Sequence, residues 1–284
     1  MRYFLVRNLK VFFRDRANVF FSLLAVFIII GLYVLFLGNM WGDEAGVKDM
    51  DLLVDVWMFA GMMAVVSLST TLGAFSTMVH DRDRKIYRDF YASPLGRGRI
   101  TGGYILGSFI VGVIMGAVAF ILIEIYVAAS GGIVLDLLAC VKTIGVILIG
   151  TLNGTALMGL IVSFVKSESV YAVVSTIVGT LSGFITGCYI PIGSLPEAVR
   201  VAVKIFPGTH TGLLFRQIFT EQQLAASFES LPASAAEDFS ETMGITARFG
   251  DMTITPVMSV VYLAVTAAIF FLIAALNLSR KNRG

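Results

Sequence analysis

Long apolar stretches alternate with short polar or charged segments along the whole chain. A helix needs about 20 consecutive apolar residues to cross the hydrocarbon core of a bilayer. Gly, Ser, Thr and Asn within such a stretch are compatible with a span when they face other helices. The pattern therefore predicts six transmembrane helices, near residues 18–38, 54–79, 101–129, 139–165, 169–189 and 254–277.

The segment between the fifth and sixth spans, residues 190–253, is too long to be a simple turn. It contains two short apolar stretches separated by Pro207-Gly208, and each is too short to cross a bilayer. Such a pair is typical of a re-entrant or interfacial hairpin, and the polar, acidic residues 221–251 are expected to form an exposed cap. The predicted fold class is an all-α integral membrane protein with an outer re-entrant hairpin between helices five and six.

The first 17 residues combine apolar and basic side chains at helical spacing. The cations lie largely opposite one apolar stripe, a pattern typical of a helix in the lipid headgroup layer. The alternative is that the charges only orient the first span. Residues 1–17 are predicted to form an interfacial amphipathic helix, whose apolar stripe consists of Leu5, Leu9, Phe12 and Phe13.

Composition and charge agree with a membrane protein. Hydrophobic residues make up 57% of the chain and charged residues 14%, against roughly 25% charged in an ordinary soluble domain. Cytoplasmic loops of membrane proteins are rich in Lys and Arg, so both termini are expected in the cytoplasm. The net charge of +2 therefore reflects topology and gives no reason to expect nucleic acid. Fifteen of the 21 basic residues lie in segments 1–17, 80–99, 166–168 and 279–284.

No catalytic or nucleotide-binding motif is visible in the sequence. The P-loop pattern G-x-x-x-x-G-K-[ST] is absent, so this chain cannot bind ATP through a P-loop. His80 and His210 fall on opposite sides of the predicted membrane and cannot share a metal. Cys140 and Cys188 both lie near outer span ends, which is compatible with a disulfide or with ordinary helix packing. The chain is predicted not to be an enzyme by itself and to hold no cofactor or metal.

A dense charged segment, residues 80–94, follows the second span. Its apolar and aromatic residues recur at i, i+4 spacing, which predicts a short helix that ends before Pro94. Such a helix either fills a groove on a soluble partner, with its charges fixing the orientation, or merely orients the spans. The candidate partner contacts are Asp83, Arg84, Ile86, Tyr87, Arg88, Phe90 and Tyr91.

Aromatic and methionine side chains in spans two and five are candidates for the substrate path. Met and aromatic side chains form adaptable apolar surfaces, although ordinary helix packing explains them as well. These candidates are Phe59, Met62, Met63 and Phe184.

Small residues recur every four positions in span five, at Gly179, Gly183 and Gly187. Small residues at this spacing let two helices approach closely. The stretch is a candidate dimer seam, with packing inside one protomer as the alternative.

One acid, Glu124, lies well inside the third span, where an ionisable group is costly. Lys142 in span four is at similar depth, so the two residues are predicted to form an ion pair. A role of Glu124 in gating or substrate contact is the alternative. Asn153 in span four is expected to make a hydrogen bond between helices.

These features together resemble the permease subunit of a bacterial ABC-2 type exporter. Besides the spans and the charged loop, the resemblance rests on two runs. The first is G-x-Y-I-P-I-x-S-L-P-E at 187–197, and the second is F-P-G-T-H-T-x-x-L-F-R at 206–216. The resemblance covers essentially the whole chain and is most specific over residues 165–219.

The resemblance implies a single ABC-2 type transmembrane domain over residues 1–284. It also implies a homo- or heterodimer of permeases in the bacterial cytoplasmic membrane, docked on separate cytoplasmic ATPase subunits that bind ATP and Mg. Residues 80–94 would be the coupling helix, and the hairpin would cap an outer vestibule. Spans two and five of the two permeases would flank the substrate path. The loop has Asp81, Asp83 and Asp89 where the family more often has Glu.

The expected function is export of an amphiphilic small molecule, drug or peptide, as in multidrug exporters. A lipid-linked glycan exporter of the same family is one alternative. A stand-alone secondary transporter is another, but inverted repeats and several midplane charges, which usually mark such proteins, are not visible.

Overall fold

The computed structural model describes residues 2–24, 27, 31, 47–92, 96–250 and 252–281. This part of the chain is almost entirely α-helical, with one short pair of antiparallel strands. In chain order its elements are α1 (Arg2–Arg14), α2 (Arg16–Ser22), α3 (Met50–Asp83), α4 (Tyr87–Ala92), α5 (Arg97–Ala129), α6 (Leu137–Phe164), α7 (Glu168–Ile185), a 3-10 turn (Ile192–Ser194), α8 (Glu197–Ile205), α9 (Pro207–Ser227), α10 (Ala233–Thr242), β1 (Arg248–Phe249), β2 (Met252–Thr253) and α11 (Pro256–Lys281).

Five of the described helices are long and apolar enough to cross a membrane. They correspond to the second to sixth predicted spans, so the chain is an all-α membrane protein. The predicted first span, 18–38, lies largely outside the described residues, and only its beginning is seen, in α2. The five helical segments are Met50–Asp83, Gly98–Ala129, Leu137–Phe164, Glu168–Ile185 and Pro256–Asn277.

Helix α3 runs through the centre of the bundle and packs against α5, α6, α7 and α9. Of its most apolar 18-residue window, 83% is buried inside the protein. The hydroxyls of Ser67, Thr70 and Thr71 donate to backbone carbonyls one turn earlier, which satisfies these polar groups within the helix itself. Because helices surround α3, polar and apolar residues alike are buried on every side of it.

Helices α6 and α11 pack along each other and are joined by a buried amide. The Nδ2 of Asn153 donates to the carbonyl of Leu263 at 3.0 Å and to the hydroxyl of Thr266 at 2.8 Å. The prediction of an interhelical hydrogen bond at Asn153 is confirmed. In an apolar environment such a bond fixes the rotation of one helix against the other.

Replacing Asn153 by leucine should weaken the contact between α6 and α11. Hydrogen bonds between membrane helices contribute about 0.6 kcal/mol on average and up to about 1.7 kcal/mol. For Asn153→Leu we expect a loss of about 1 kcal/mol, because two bonds disappear from a buried site. Unfolding of the purified chain by a denaturing detergent measures the change. A variant as stable as the wild type would contradict the structural role of this amide.

The segment between α7 and α11 differs from the two short helices predicted for it. Helix α8 is short, but Pro207 is the first residue of α9, which continues for 21 residues to Ser227. Helix α9 packs against α3, α6 and α11 and most of its residues are buried. Proline has no N–H and a fixed φ, so it fits the first turn of a helix. The Pro207-Gly208 pair therefore starts a long buried helix instead of separating two short ones.

The rest of this segment forms a cap at the end of the bundle where α3 begins. The indole Nε1 of Trp57, near the start of α3, donates to the carbonyl of Met243 at 2.7 Å. At Gly193 a Cβ would lie 2.6 Å from both the Cα and the carbonyl oxygen of Thr242, so the 3-10 turn touches the end of α10 backbone to backbone. The cap, residues 228–250, is thereby attached to both α3 and the 3-10 turn.

Candidate functional site

The charged segment predicted at residues 80–94 begins within the last turn of α3. His80 to Asp83 continue α3, and the backbone reverses at Lys85, whose φ is +62°. Non-glycine residues adopt this left-handed conformation rarely and mostly in turns. Only Tyr87–Ala92 form the separate helix α4. The single helix predicted within 80–94 is therefore divided into the end of a span, a tight turn and a six-residue helix.

Charged side chains form the exposed edge of this turn, which we call the α4 edge: Asp83, Arg84, Arg88 and Asp89. The apolar contacts predicted beside them, Ile86, Tyr87 and Phe90, are only half-exposed. The side chain of Tyr91 lies outside the described part of the chain.

Phe90, one of the predicted partner contacts, is partly buried against α1. Its ring meets the Phe4 ring of α1 edge to face at a centroid distance of 5.0 Å, and Phe4 meets Tyr104 of α5 in the same way at 5.0 Å. The guanidinium of Arg7 lies 5.3 Å from the Phe90 ring centre, a cation–π distance. A helix of six residues cannot hold its position alone, and these contacts attach α4 to α1 and α5.

Beneath α4 lies a buried polar cluster, the Asp81 cluster, formed by Arg7, Asp81 and Tyr104. Asp81 is completely buried. Arg7 binds its carboxylate through both Nη atoms, and the Nη2–Oδ1 distance is 2.8 Å. The hydroxyl of Tyr104 donates to Asp81 Oδ2 at 2.6 Å. The hydrogen bond to Asp81 raises the pKa of Arg7 above its ordinary value. The cluster joins α1, α3 and α5 by charge-assisted bonds.

The sequence did not reveal the Asp81 cluster. Asp81 belongs to the charged segment 80–94, for which the sequence predicts a partner-binding helix or a segment that orients the spans, and nothing in the spacing of Arg7 or Tyr104 connects them to it. The apolar stripe predicted for α1 is also shifted. Its buried face is Phe4, Asn8 and Phe12, whereas Phe13 is exposed, because α1 packs on α3 and α5.

Further bonds connect the same end of α3 to the α6–α7 turn. The His80 Nδ1 lies 2.5 Å from a carboxylate oxygen of Glu168, the first residue of α7. Arg82 donates to the carbonyl of Val165, directly after α6, at 2.7 Å. The end of α3 therefore contacts α1, α4, α5, α6 and α7, so a displacement of α4 would be transmitted to most of the bundle.

Three of the four residues predicted to line a substrate path are buried in this conformation. Phe59, Met62 and Met63 are 0–1% exposed and belong to the central core, because α3 is enclosed by other helices. Phe184 on α7 is 45% exposed and packs edge to face on Tyr189. Of the four candidates, only Phe184 lies at the surface of the protomer.

The predicted glycine seam does not form one continuous surface. Among the described residues, no atom lies within 4 Å of where a Cβ of Gly179 would be, but the ring of Tyr189 covers Gly183, and a Cβ there would be 2.1 Å from that ring. Gly187 comes after the end of α7 and has a φ of +70°. Gly183 and Gly187 thus serve packing and a turn within the protomer. The exposed face of α7 around Gly179 is instead apolar and consists of Val170, Val173, Ile177, Leu181 and Phe184.

The predicted ion pair between Glu124 and Lys142 is wrong. Glu124 Oε2 accepts a hydrogen bond from the backbone N–H of Leu135 at 3.2 Å, in the turn that follows α5. Lys142 is 3.8 Å from Glu221 of α9 and both side chains are well exposed. A backbone donor close in sequence was available to Glu124, and spacing along the chain gave no sign of it. The cysteines do not pair either: Cys140 and Cys188 are both free.

A second buried charge, Arg216 in α9, was also missed. It is fully buried, and its Nη2 donates to the carbonyls of Thr186 and Gly187, at 2.9 and 2.6 Å. These carbonyls follow the last residue of α7, where a cation is favourable to the helix dipole. The guanidinium lies 5.1 Å from the ring centre of Trp57. Within the described residues its Nε and Nη1 have no acceptor. The signal was an arginine inside an otherwise apolar stretch.

A cleft of about 420 Å³ opens beside the Asp81 cluster, between α1, α2, α3 and α7. Apolar and polar residues share its lining: Val11, Phe12, Asp15, Asn18, Ser76, Thr77, Val79, His80, Glu168 and Tyr171. Among the residues that the structure describes, no three His, Cys, Asp or Glu side chains lie close enough to hold a metal ion.

One family model matches the chain, that of the "ABC-2 family transporter protein", over residues 46–276. The match covers more than half of the chain and includes all five described membrane-spanning helices. No curated protein is significantly similar to the chain.

Proposed function

Because the chain belongs to the ABC-2 family of transporter proteins, and so is a membrane permease of an ABC transporter, we propose that it is the permease subunit of an ATP-driven exporter. ATP and Mg are bound by separate cytoplasmic ATPase subunits. Both termini, the α4 edge and the Asp81 cluster lie on the cytoplasmic side of a bacterial cell membrane. The distribution of Lys and Arg supports this orientation.

The α4 edge is the proposed contact with the ATPase. Its four charged side chains point away from the protein, while the apolar side of the turn packs against α1. Charges arranged in this way fix the orientation of a partner more than they add affinity. The observation that carries the proposal is the attachment of this exposed, charged, six-residue helix to α1 and, through Phe4, to α5.

The Asp81 cluster transmits the movement of the ATPase to the spans. When the ATPase subunits close on ATP they displace α4, and the contacts of Phe90 and Arg7 pass the displacement to α1. The bonds of Asp81 pass it on to α3 and α5. A buried, fully hydrogen-bonded carboxylate suits this role because it tolerates little relative sliding of the helices that it joins.

A second permease, either the same chain or a related one, pairs along the exposed face of α7. Only 11% of the most apolar window of α7 is buried within the protomer. An apolar helix face in a bilayer can contact lipid or another helix, and the open space at Gly179 would let a second helix approach closely.

The proposed cargo is an amphiphilic small molecule, drug or peptide taken from the cytoplasm or the inner leaflet. The cleft beside α1 and α2 supports this class, because it is open, mixed in polarity and placed at the level of the proposed inner headgroup layer. Apolar residues such as Phe12 and Val79 face polar ones such as Asp15 and Glu168 across it.

Affinity purification from native membranes in mild detergent tests the ATPase contact. We expect a P-loop ATPase to accompany the tagged chain in stoichiometric amount. Reversing two charges of the α4 edge, in Arg84→Glu with Arg88→Glu, should remove it, because like charges then face the partner's acids. Lys166→Glu is the matched control, since Lys166 is an exposed cation at the same end of the bundle but not on α4. The control should keep the ATPase.

A chain that purifies without any ATPase, and whose membranes transport cargo on an ion gradient after ATP depletion, would be a stand-alone transporter. That result would overturn the proposal. An ATPase that remains bound to the doubly reversed variant would keep the exporter but remove the α4 edge as its contact.

A further inference from the structure

A cavity of about 340 Å³ lies at the opposite end of the bundle from α4, between α8, the 3-10 turn, α10 and β1. Its walls are of opposite charge. Arg200 and Lys204 line it from α8, and Asp238 and Glu241 line it from α10. Each pair is three or four residues apart on its helix, which places both members on one face.

Among the described residues, neither cation of the basic wall forms an ion pair with a carboxylate. Lys204 Nζ donates to the backbone carbonyl of Arg248 at 2.6 Å, which is neutral, and Arg200 donates to no acceptor within the described part of the chain. Burial lowers the pKa of Lys204, and the nearby Arg200 lowers it further. Two neighbouring cations in a partly buried wall are favourable only when an anion binds between them.

The two carboxylates of the acidic wall also lack close cationic partners within the described residues. Glu241 lies 3.8 Å from a guanidinium nitrogen of Arg248, a loose pair at the rim. Asp238 makes no hydrogen bond or ion pair with any other residue that the structure describes. Glu241 is near enough to raise the pKa of Lys204, against the lowering by burial and by Arg200, but among the described residues no ion pair joins α10 to α8. Instead, the cavity separates two walls that would bind the two ends of a zwitterion.

Exposed apolar side chains lie on the elements that form the cavity, and the ring centre of one of them, Phe249, is 5.8 Å from Lys204 Nζ. Helix α8 turns Val199, Val201 and Ile205 outward, each about half exposed, and the β1–β2 hairpin exposes Phe249 and Met252. A short helix with one apolar exposed face and one basic face is typical of the boundary between headgroups and acyl chains. These apolar side chains place the charged cavity at the height of lipid headgroups.

We propose that this cavity binds the headgroup of a phospholipid that carries a primary ammonium, namely phosphoethanolamine. The phosphate lies between Arg200 and Lys204, and the ammonium lies between Asp238 and Glu241. The acyl chains run along the exposed apolar side chains of α8 and the β1–β2 hairpin. A lipid bound in this way joins α8 to the cap and so stabilises the closed arrangement of the two. The inference needs only the membrane setting of the chain and does not depend on the identity of an ATPase partner.

Native mass spectrometry of the full chain, released from nanodiscs, tests the proposal. Nanodiscs contain equal amounts of phosphatidylethanolamine, phosphatidylcholine and phosphatidylglycerol. We expect the ethanolamine lipid to be retained about tenfold more than the choline lipid, because a trimethylated ammonium cannot donate hydrogen bonds to the carboxylates. Arg200→Gln should reduce this retention about tenfold. Lys142→Gln, an exposed cation outside the cavity, is the control and should change nothing.

A second variant, Asp238→Asn, acts on the other wall and replaces a side chain that holds no other contact. It should abolish the preference for ethanolamine over choline while the phosphate is still bound. Equal retention of these two lipids by the wild type would overturn the proposal. Preferred retention of phosphatidylglycerol would show a simple anion site and would overturn it too. Displacement of the lipid by soluble phosphoethanolamine at equal concentration would show that the natural ligand is soluble, which would overturn the assignment to a lipid.

Discussion

Replacing Asp81 by alanine is expected to destabilise the protein by about 3 kcal/mol and to abolish transport, the largest effect of any single change at the α4 end. The carboxylate is completely buried, and its removal leaves Arg7 without its ion pair and Tyr104 without its acceptor. A broken pair costs more than an absent one because a charge remains without its partner. Water solvates Arg7 in part, since its side chain is 33% exposed, which keeps the expected loss at the low end for a buried pair. Chemical unfolding of the purified chain gives the stability, and cargo uptake into vesicles gives the transport.

A double-mutant cycle separates pairing from packing at this cluster. Arg7→Met with Asp81→Leu removes both charges, so the double variant should be less destabilised than the sum of the two single changes. Asp89→Ala is the matched control, because Asp89 is an exposed acid on the neighbouring helix. It should leave stability unchanged. If the changes in the free energy of unfolding of the two single variants add up to that of the double variant, the two side chains do not interact. That result would contradict the stabilising ion pair between Arg7 and Asp81.

Two replacements of Arg216, by alanine and by methionine, are expected to change the stability of the protein by very different amounts. Arg216→Ala should cost about 3 kcal/mol, because it empties a space enclosed by Trp57 and Gly61. Arg216→Met fills that space without a charge. It should lie within about 1 kcal/mol of the wild type, because the penalty for burying a charge disappears together with its hydrogen bonds.

Thermal unfolding of both Arg216 variants in detergent tests this expectation. A methionine variant as unstable as the alanine variant would contradict it. That result would show that the bonds to Thr186 and Gly187, not the volume of the side chain, hold the end of α7 in place. Arg200→Gln is a suitable control for the loss of a cation, since Arg200 is partly exposed.

The spans could be predicted because a helix that crosses a bilayer must be long and apolar, and a long apolar stretch can be recognised in the sequence without knowledge of its neighbours in the fold. The polar segments between them were less predictable. Pro207 was interpreted as a break although it begins a helix, because proline fits both positions and only the packing of α9 decides.

The side chains of the candidate site followed from the sequence only in part. The exposed charges Asp83, Arg84, Arg88 and Asp89 lie where the charged segment predicts them. The burial of Asp81 was not predicted, because a charged residue in a charged loop is ordinarily solvated, and the burial of Arg216 was not predicted, because its segment was expected to lie at the membrane surface. Their burial depends on partners far away in sequence, which neither periodicity nor composition encodes.

The failure at Phe59, Met62 and Met63 has a different cause. Met and aromatic residues lining a path and the same residues filling a core produce the same sequence pattern. The number of helices around α3 decides between the two, and a single sequence does not contain that number. In this conformation α3 is enclosed, so its aromatic and sulfur-containing side chains contribute to the core.

The length of α3 makes it a lever. Its 34 residues extend about 51 Å at 1.5 Å per residue, well beyond the roughly 30 Å of hydrocarbon that it must cross. Asp81 and Trp57 are 24 positions apart on this one rod, or about 36 Å. If the rod pivots by about 10° at the Asp81 end, Trp57 is displaced by about 6 Å relative to α9. A small movement at one surface of the membrane would then be enough to break the hydrogen bond from Trp57 to Met243 and the contact of Trp57 with Arg216 at the other.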